Sequence, residues 1–188
     1  MSFVRYSGRY SAWYSARYLA QYLVVPAFGF LIAAGLARAE TPSDAQIAEI
    51  VVKANQVDVD AGRLAMGKAA NAGVKAFAAE MVAAHTQIGN QALALVRKLG
   101  VMPEPSVTSH SLEGGGASNI ALLSKLDAAQ FDRAYVGHEV AYHRQVLAAV
   151  DDILIPSAQN PELKALLVAV RPLFVAHLEH AQHLRDSL

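Results

Sequence analysis

Four ionisable side chains stand where apolar ones are expected. Asp58, His85, His143 and His177 each interrupt the apolar stripe of a different helical segment: between Ala54 and Ala61, Met81 and Ile88, Val140 and Leu147, and Leu173 and Ala181. Burying such a group costs several kcal/mol unless it is neutral, paired or metal-bound, so one per segment asks for a shared explanation. Three imidazoles and a carboxylate match a Zn, Fe, Mn or Cu site in ligand type and number. Glu139, one turn before His143 on the same face, is either a further ligand or the acceptor that orients the ring. Asp132 and Tyr135 either support the site or cap and pack the start of their helix. The same groups also admit a metal-free reading, in which Asp58, Tyr135 and the three histidines form a hydrogen-bonded network that fixes register.

The remaining histidines carry less chemistry. His180 and His183, with Glu179 beside them, read as a solvated face; His138 flanks the core, and His110 falls in an exposed connection. No residue is singled out as catalytic. The sequence lacks a Gly-x-Ser-x-Gly elbow and a His-Glu-x-x-His pair, and Gly114-Gly115-Gly116 does not lead from a strand into a helix, which leaves hydrolysis and phosphate cradling without residues. A metal-dependent oxidoreductase would further need an open coordination position and an entry path.

Helices must position these groups. Thr41-Pro42-Ser43-Asp44 supplies cap residues for a first helix that carries Ile47, Val51, Ala54, Ala61 and Ala65 at helical spacing. Asn71-Ala72-Gly73 predicts a turn, and Val74, Ala78, Met81, Ile88, Ala92, Leu95 and Leu99 predict a second helix ending at Gly100. From Val101 to about Leu126, Pro103, Pro105 and the three glycines argue against one long helix and for a crossover, with a short amphipathic helix over Ile120–Leu126. A third helix starts near Asp127 and stops at Pro156. The fourth starts at Asn160-Pro161-Glu162 and is expected to kink or break at Pro172.

Two helical hairpins joined by a long connection make an all-α, ferritin-like four-helix bundle with a crossover between helices two and three. Asp58 and His85 are equidistant from the first turn, and His143 and His177 from the second. At 1.5 Å of rise per residue both pairs lie roughly 20 to 25 Å from their turns, near mid-bundle whichever way the hairpins run.

The chain also resembles a known family. The strings Asp58-Val59-Asp60-Ala61-Gly62-Arg63-Leu64-Ala65, Val74-Lys75-Ala76-Phe77-Ala78-Ala79-Glu80-Met81-Val82-Ala83-Ala84-His85, Phe131-Asp132-Arg133-Ala134-Tyr135-Val136 with His143, and Pro172-Leu173 with His177-Leu178 are similar to domain of unknown function family 4142. The resemblance implies an exported bacterial protein with a ferritin-like fold, often labelled a predicted outer membrane protein, and it places recurrent positions on His85, His143 and His177. Two departures stand out: Ala84 where the family usually has an acid, and Asp58 where it has Glu. Val82 and Phe174 occupy the positions three residues before His85 and His177, so the Glu-x-x-His pairs of a di-iron carboxylate centre are missing. No alternating β-barrel pattern supports the outer-membrane label.

The first 39 residues read as a secretory signal peptide, with 40–188 as the mature bundle domain. Arg5, Arg9 and Arg17 precede an apolar run from Leu19 to Leu36, and Ala37-Arg38-Ala39 sets cleavage before Glu40. An uncleaved anchor is the other reading, though Pro26 and Gly29 weaken a spanning helix. A periplasmic location follows, with no membrane contact after cleavage. The chain has no cysteine, which removes disulfides, thiolate ligands and lipid attachment together. A net charge of zero with no basic cluster beyond the leader argues against nucleic acid as a partner. A transition-metal ion is the partner the sequence points to. A metal-free envelope protein, linked to stress or acting through protein contacts, is the reading set against it.

Overall fold

The computed structural model describes residues 41–188; the signal peptide and cleavage point read from the first forty residues lie outside them. Every regular element among the described residues is helical. α1 (Asp44–Lys68) opens with a capping box, in which the Ser43 hydroxyl accepts from the Gln46 N–H and the Gln46 side chain accepts from the Ser43 N–H. α2 (Ala72–Leu99) starts inside the predicted turn, two residues before Val74, because the Asn71 side chain accepts from the N–H groups of Gly73 and Val74 and so draws Gly73 into the first turn. It ends at Leu99, capped by Gly100, whose φ of 65° is the left-handed geometry that favours glycine.

The connection departs from expectation. Instead of a short helix over Ile120–Leu126, a 17-residue α3 (Val107–Leu123) runs straight through Gly114-Gly115-Gly116. Pro103 and Pro105 lie ahead of it, and Ser106 caps it. Packing outweighs the poor helix propensity of glycine here: a Cβ at Gly116 would sit 2.8 Å from a methyl of Val57, so the missing side chain lets α3 lie close against α1.

α4 (Ala128–Ala149), capped by Asp127, continues into a π-helical turn (Val150–Leu154) and the three-residue α5 (Ile155–Ser157). The helical path thus overruns the expected stop at Pro156. Proline removes one rung of the ladder and crowds the carbonyl four residues back, and the wider π turn, where the Ile155 N–H reaches Val150, absorbs that mismatch. α6 (Pro161–Asp186) starts at Asn160 and is unbroken through Pro172, whose ring faces solvent.

α1 packs on α2, α2 on α6, α6 on α4 and α4 on α1, while α3 lies chiefly on α1. Two carboxylates tie the hairpin turns to the opposite pair. Asp132 of α4 accepts from the N–H groups of Ala70 and Asn71 at 3.1 and 2.8 Å, and Asp44 of α1 accepts from those of Gln159 and Asn160 at 2.9 Å each. Each turn therefore sits beside the start of the other hairpin, so the hairpins run in opposite directions. The apolar core falls into two clusters. One gathers Phe77, Met81, Phe131, Tyr135 and Val136; the other gathers Ile47, Ile88, Val150, Leu167 and Phe174.

Alanine at Gly115, whose Cβ would meet no atom of another described element within 4 Å, should raise the unfolding free energy by about 0.5–1 kcal/mol through helix propensity alone. Gly116→Ala carries the same gain but must displace the stiff Val57 side chain, and in urea unfolding it should fall below wild type. Equal stabilisation by both would show that α3 does not press on α1.

Candidate metal centre

Between the two apolar clusters lies a polar layer: Asn55 and Asp58 from α1, His85 from α2, Glu139 and His143 from α4, and His177 from α6. All six are between 0 and 4 % exposed. Helical spacing brings them there, since Asn55 and Asp58 are three residues apart and Glu139 and His143 four, one turn on a single face. The three imidazoles form a nearly equilateral triangle, with ring centroids 5.5 Å (His85–His143), 5.2 Å (His85–His177) and 5.4 Å (His143–His177) apart. One ring nitrogen from each lies within 4.8 Å of the other two.

Hydrogen bonds select which nitrogens are free. His85 Nδ1 is 2.9 Å from Asn55 Oδ1 and 3.4 Å from Asp58 Oδ2. His143 Nδ1 is 3.0 Å from the Glu139 carbonyl and 3.5 Å from its Oε2. An acceptor facing Nδ1 keeps the proton there and leaves the lone pair on Nε2, which is how metal-ligating histidines are commonly oriented. Among the described residues, the Nε2 atoms of His85 and His143 and both nitrogens of His177 are buried with no hydrogen-bond partner, while the Glu139 carboxyl lies close to Asp58 and to the Tyr135 hydroxyl. Asp58, Glu139 and Tyr135 can satisfy one another, but a self-sufficient network would not leave the imidazole nitrogens orphaned, because each costs about 1–3 kcal/mol. Phe174 closes one side of the triangle, its ring parallel to His85 at 5.6 Å. One of the two residues that stand where a di-iron pattern needs Glu thus acts as an apolar wall.

Electrostatics fits a neutral nitrogen set beside proton-holding acids. Burial pushes His85 down to about 2, with His143 and His177 adding to the effect, and pushes His143 and His177 down to about 4. Burial raises Asp58 to about 7 and lifts Glu139 well above the usual carboxylate range, where the nearby Asp58 charge adds to it. Asp58, Glu139 and His143 form a second close set, again with ligand atoms within 4.8 Å of one another. Of the five candidate ligands, then, the histidines gather around one point, while Asp58 and Glu139 lie toward the Nδ1 edges of His85 and His143.

Asp132 clamps a turn and takes no part in this layer. Tyr135 stacks on Phe131 in the neighbouring cluster. His138 is half-buried and stacks on Tyr142 at 5.7 Å. His110 and His183 are exposed, and so is His180, which pairs with Glu80 at 3.0 Å. Asn55 escaped the stripe reading, which placed Ala54 on the buried face; Leu173 was misplaced in the same way and is exposed, with Phe174 buried instead.

A sequence model described as domain of unknown function DUF4142 matches residues 32–184. No curated protein matches the chain. Among solved structures, a DUF305 fragment from Deinococcus radiodurans superposes with a TM-score of 0.67 at 17% identity, covering 77% of this chain and 95% of that one. At that identity the likeness is one of fold.

The charge states predict opposed pH dependences for the metal-free protein. Asp58 is raised above its unfolded value of about 4, so the stability it contributes is present below pH ~4 and is lost as pH rises through about 7. The depressed histidines contribute stability above pH ~6.5 that is lost as pH falls toward 4. With chelator present, Asp58→Asn should flatten the decline in unfolding free energy between pH 6 and pH 8. An unchanged slope would show that Asp58 is not held protonated.

Proposed function

The chain belongs to DUF4142, a family of domains of unknown function, and from that footing we propose that it is an exported ferritin-like four-helix bundle holding one transition-metal ion on His85, His143 and His177. The cyclic packing of α1, α2, α6 and α4, with α3 inside the long connection between the hairpins, supports the bundle. The basic, apolar and small-residue order of the first 39 residues supports export to the periplasm, with 40–188 as the working domain. Among the described residues no helix is long and apolar enough to cross a membrane.

One observation carries the metal reading: three imidazoles from three helices face one another in the interior with unpartnered nitrogens. Neutral imidazole nitrogen is a ligand for Zn, Cu and Fe. Asp58 and Glu139 would supply the charge, because two carboxylates balance a divalent ion that three neutral rings cannot. Complete burial of the centre favours holding or buffering an ion over turning over a substrate, which would need a route past Phe174 and the surrounding helices.

Protein purified without a polyhistidine tag should carry close to one metal ion per chain by elemental analysis. His85→Ala and His143→Ala should each lose it. Added metal should stabilise the wild type by about 2.7 kcal/mol at a hundredfold excess over Kd and leave the variants unmoved. Weak binding that survives both substitutions, through the exposed His180 and His183, would favour a metal-free envelope scaffold whose histidines only fix the core.

A further inference from the structure

Within the polar layer, Asn55 is the one member that cannot ionise, and its amide is engaged through both its nitrogen and its oxygen. Its Nδ2 donates to the Val51 carbonyl one turn back at 2.7 Å. Turning the amide over would break that bond, so the atom held against His85 is Oδ1, at 2.9 Å from Nδ1. Asp58 Oδ2 approaches the same nitrogen only to 3.4 Å. An oxygen that can only accept, held at hydrogen-bond distance, requires Nδ1 to carry the hydrogen. The Nε2 of His85 has no partner among the described residues, while Phe174 lies parallel to the ring on one face.

We propose that Asn55 is a positioning residue for the metal centre: it fixes the tautomer and ring orientation of His85 so that Nε2, and not Nδ1, meets the ion. The role rests on the metal reading given above, but its first consequence belongs to the metal-free protein. His143 has a backbone acceptor for the same purpose, the Glu139 carbonyl, and no side chain is needed there. His85 has no such carbonyl, and α1 supplies the amide in its place. A neutral acceptor also adds no third carboxylate to a layer that already buries Asp58 and Glu139. Among the described residues neither nitrogen of His177 has a hydrogen-bond partner, so no such bond sets its tautomer.

Nitrogen-15 NMR of the metal-free protein reads the tautomer directly, and zinc titration reads the consequence. In the wild type, His85 should show a protonated Nδ1 and a bare Nε2. Asn55→Leu, close in size but without an acceptor, should lose that preference and bind zinc 10- to 100-fold more weakly. Asn55→Asp, whose protonated form keeps an acceptor toward His85 and a donor toward the Val51 carbonyl, should keep the tautomer and restore binding. A wild-type His85 protonated on Nε2 would overturn the proposal, as would Asn55→Leu with unchanged tautomer and zinc affinity. If Asn55→Leu does not fold, the wild-type tautomer and Asn55→Asp decide. A wild type with the expected tautomer that takes up no zinc would uphold the positioning of the ring and sink the metal reading alone.

Discussion

A band of polar groups across the middle of an apolar interior is the constraint on which everything else in this protein turns. Two hydrophobic clusters meet at Asn55, Asp58, His85, Glu139, His143 and His177, and that meeting is expensive, because ionisable groups there lose their water. The structure lowers the cost in two ways. Burial keeps the imidazoles neutral and raises both carboxyls above their ordinary range, so that they hold protons more readily, and acceptors at Nδ1 satisfy one nitrogen on each of two rings. What is left over, a set of inward nitrogens without partners among the described residues and two carboxyls beside them, has the chemistry of a cation site.

Rigidity around the band comes from the ends. Asp132 and Asp44 each clamp the turn of the opposite hairpin through two backbone N–H groups, satisfying donors ahead of a helix that would otherwise be orphaned. Depth is thereby fixed as well as contact. With both turns held, Asp58 and His85 cannot slide relative to His143 and His177 without breaking a clamp, and four side chains from four helices stay at one level.

Much of this was legible in the sequence, for reasons that differ by residue. Cap residues and 3.6-residue periodicity located α1, α2, α4 and α6, because both signals are local. The three histidines stood out because a polar group in an apolar stripe is a visible exception, and counting from the turns gave their common depth. The path of α3 was hidden because glycine propensity is a local cost, while the benefit at Gly116 is contact with Val57, some sixty residues away in the chain. Asn55 was hidden by an error of one position: the stripe through Val51 and Asp58 passes through residue 55 rather than 54, and alanine is apolar enough to be taken for core. The same slip exchanged Leu173 for Phe174. A stripe about 100° wide tolerates such errors for packing and not for chemistry.

X-ray absorption at the metal edge, on protein loaded with one equivalent of zinc, probes the convergence of the rings most directly. The account predicts a first shell containing three imidazole nitrogens at about 2.0–2.1 Å, lost together when His177 is replaced by alanine. A shell with one imidazole or none, unchanged by that substitution, would place the ion on the surface and contradict a metal centre in the core.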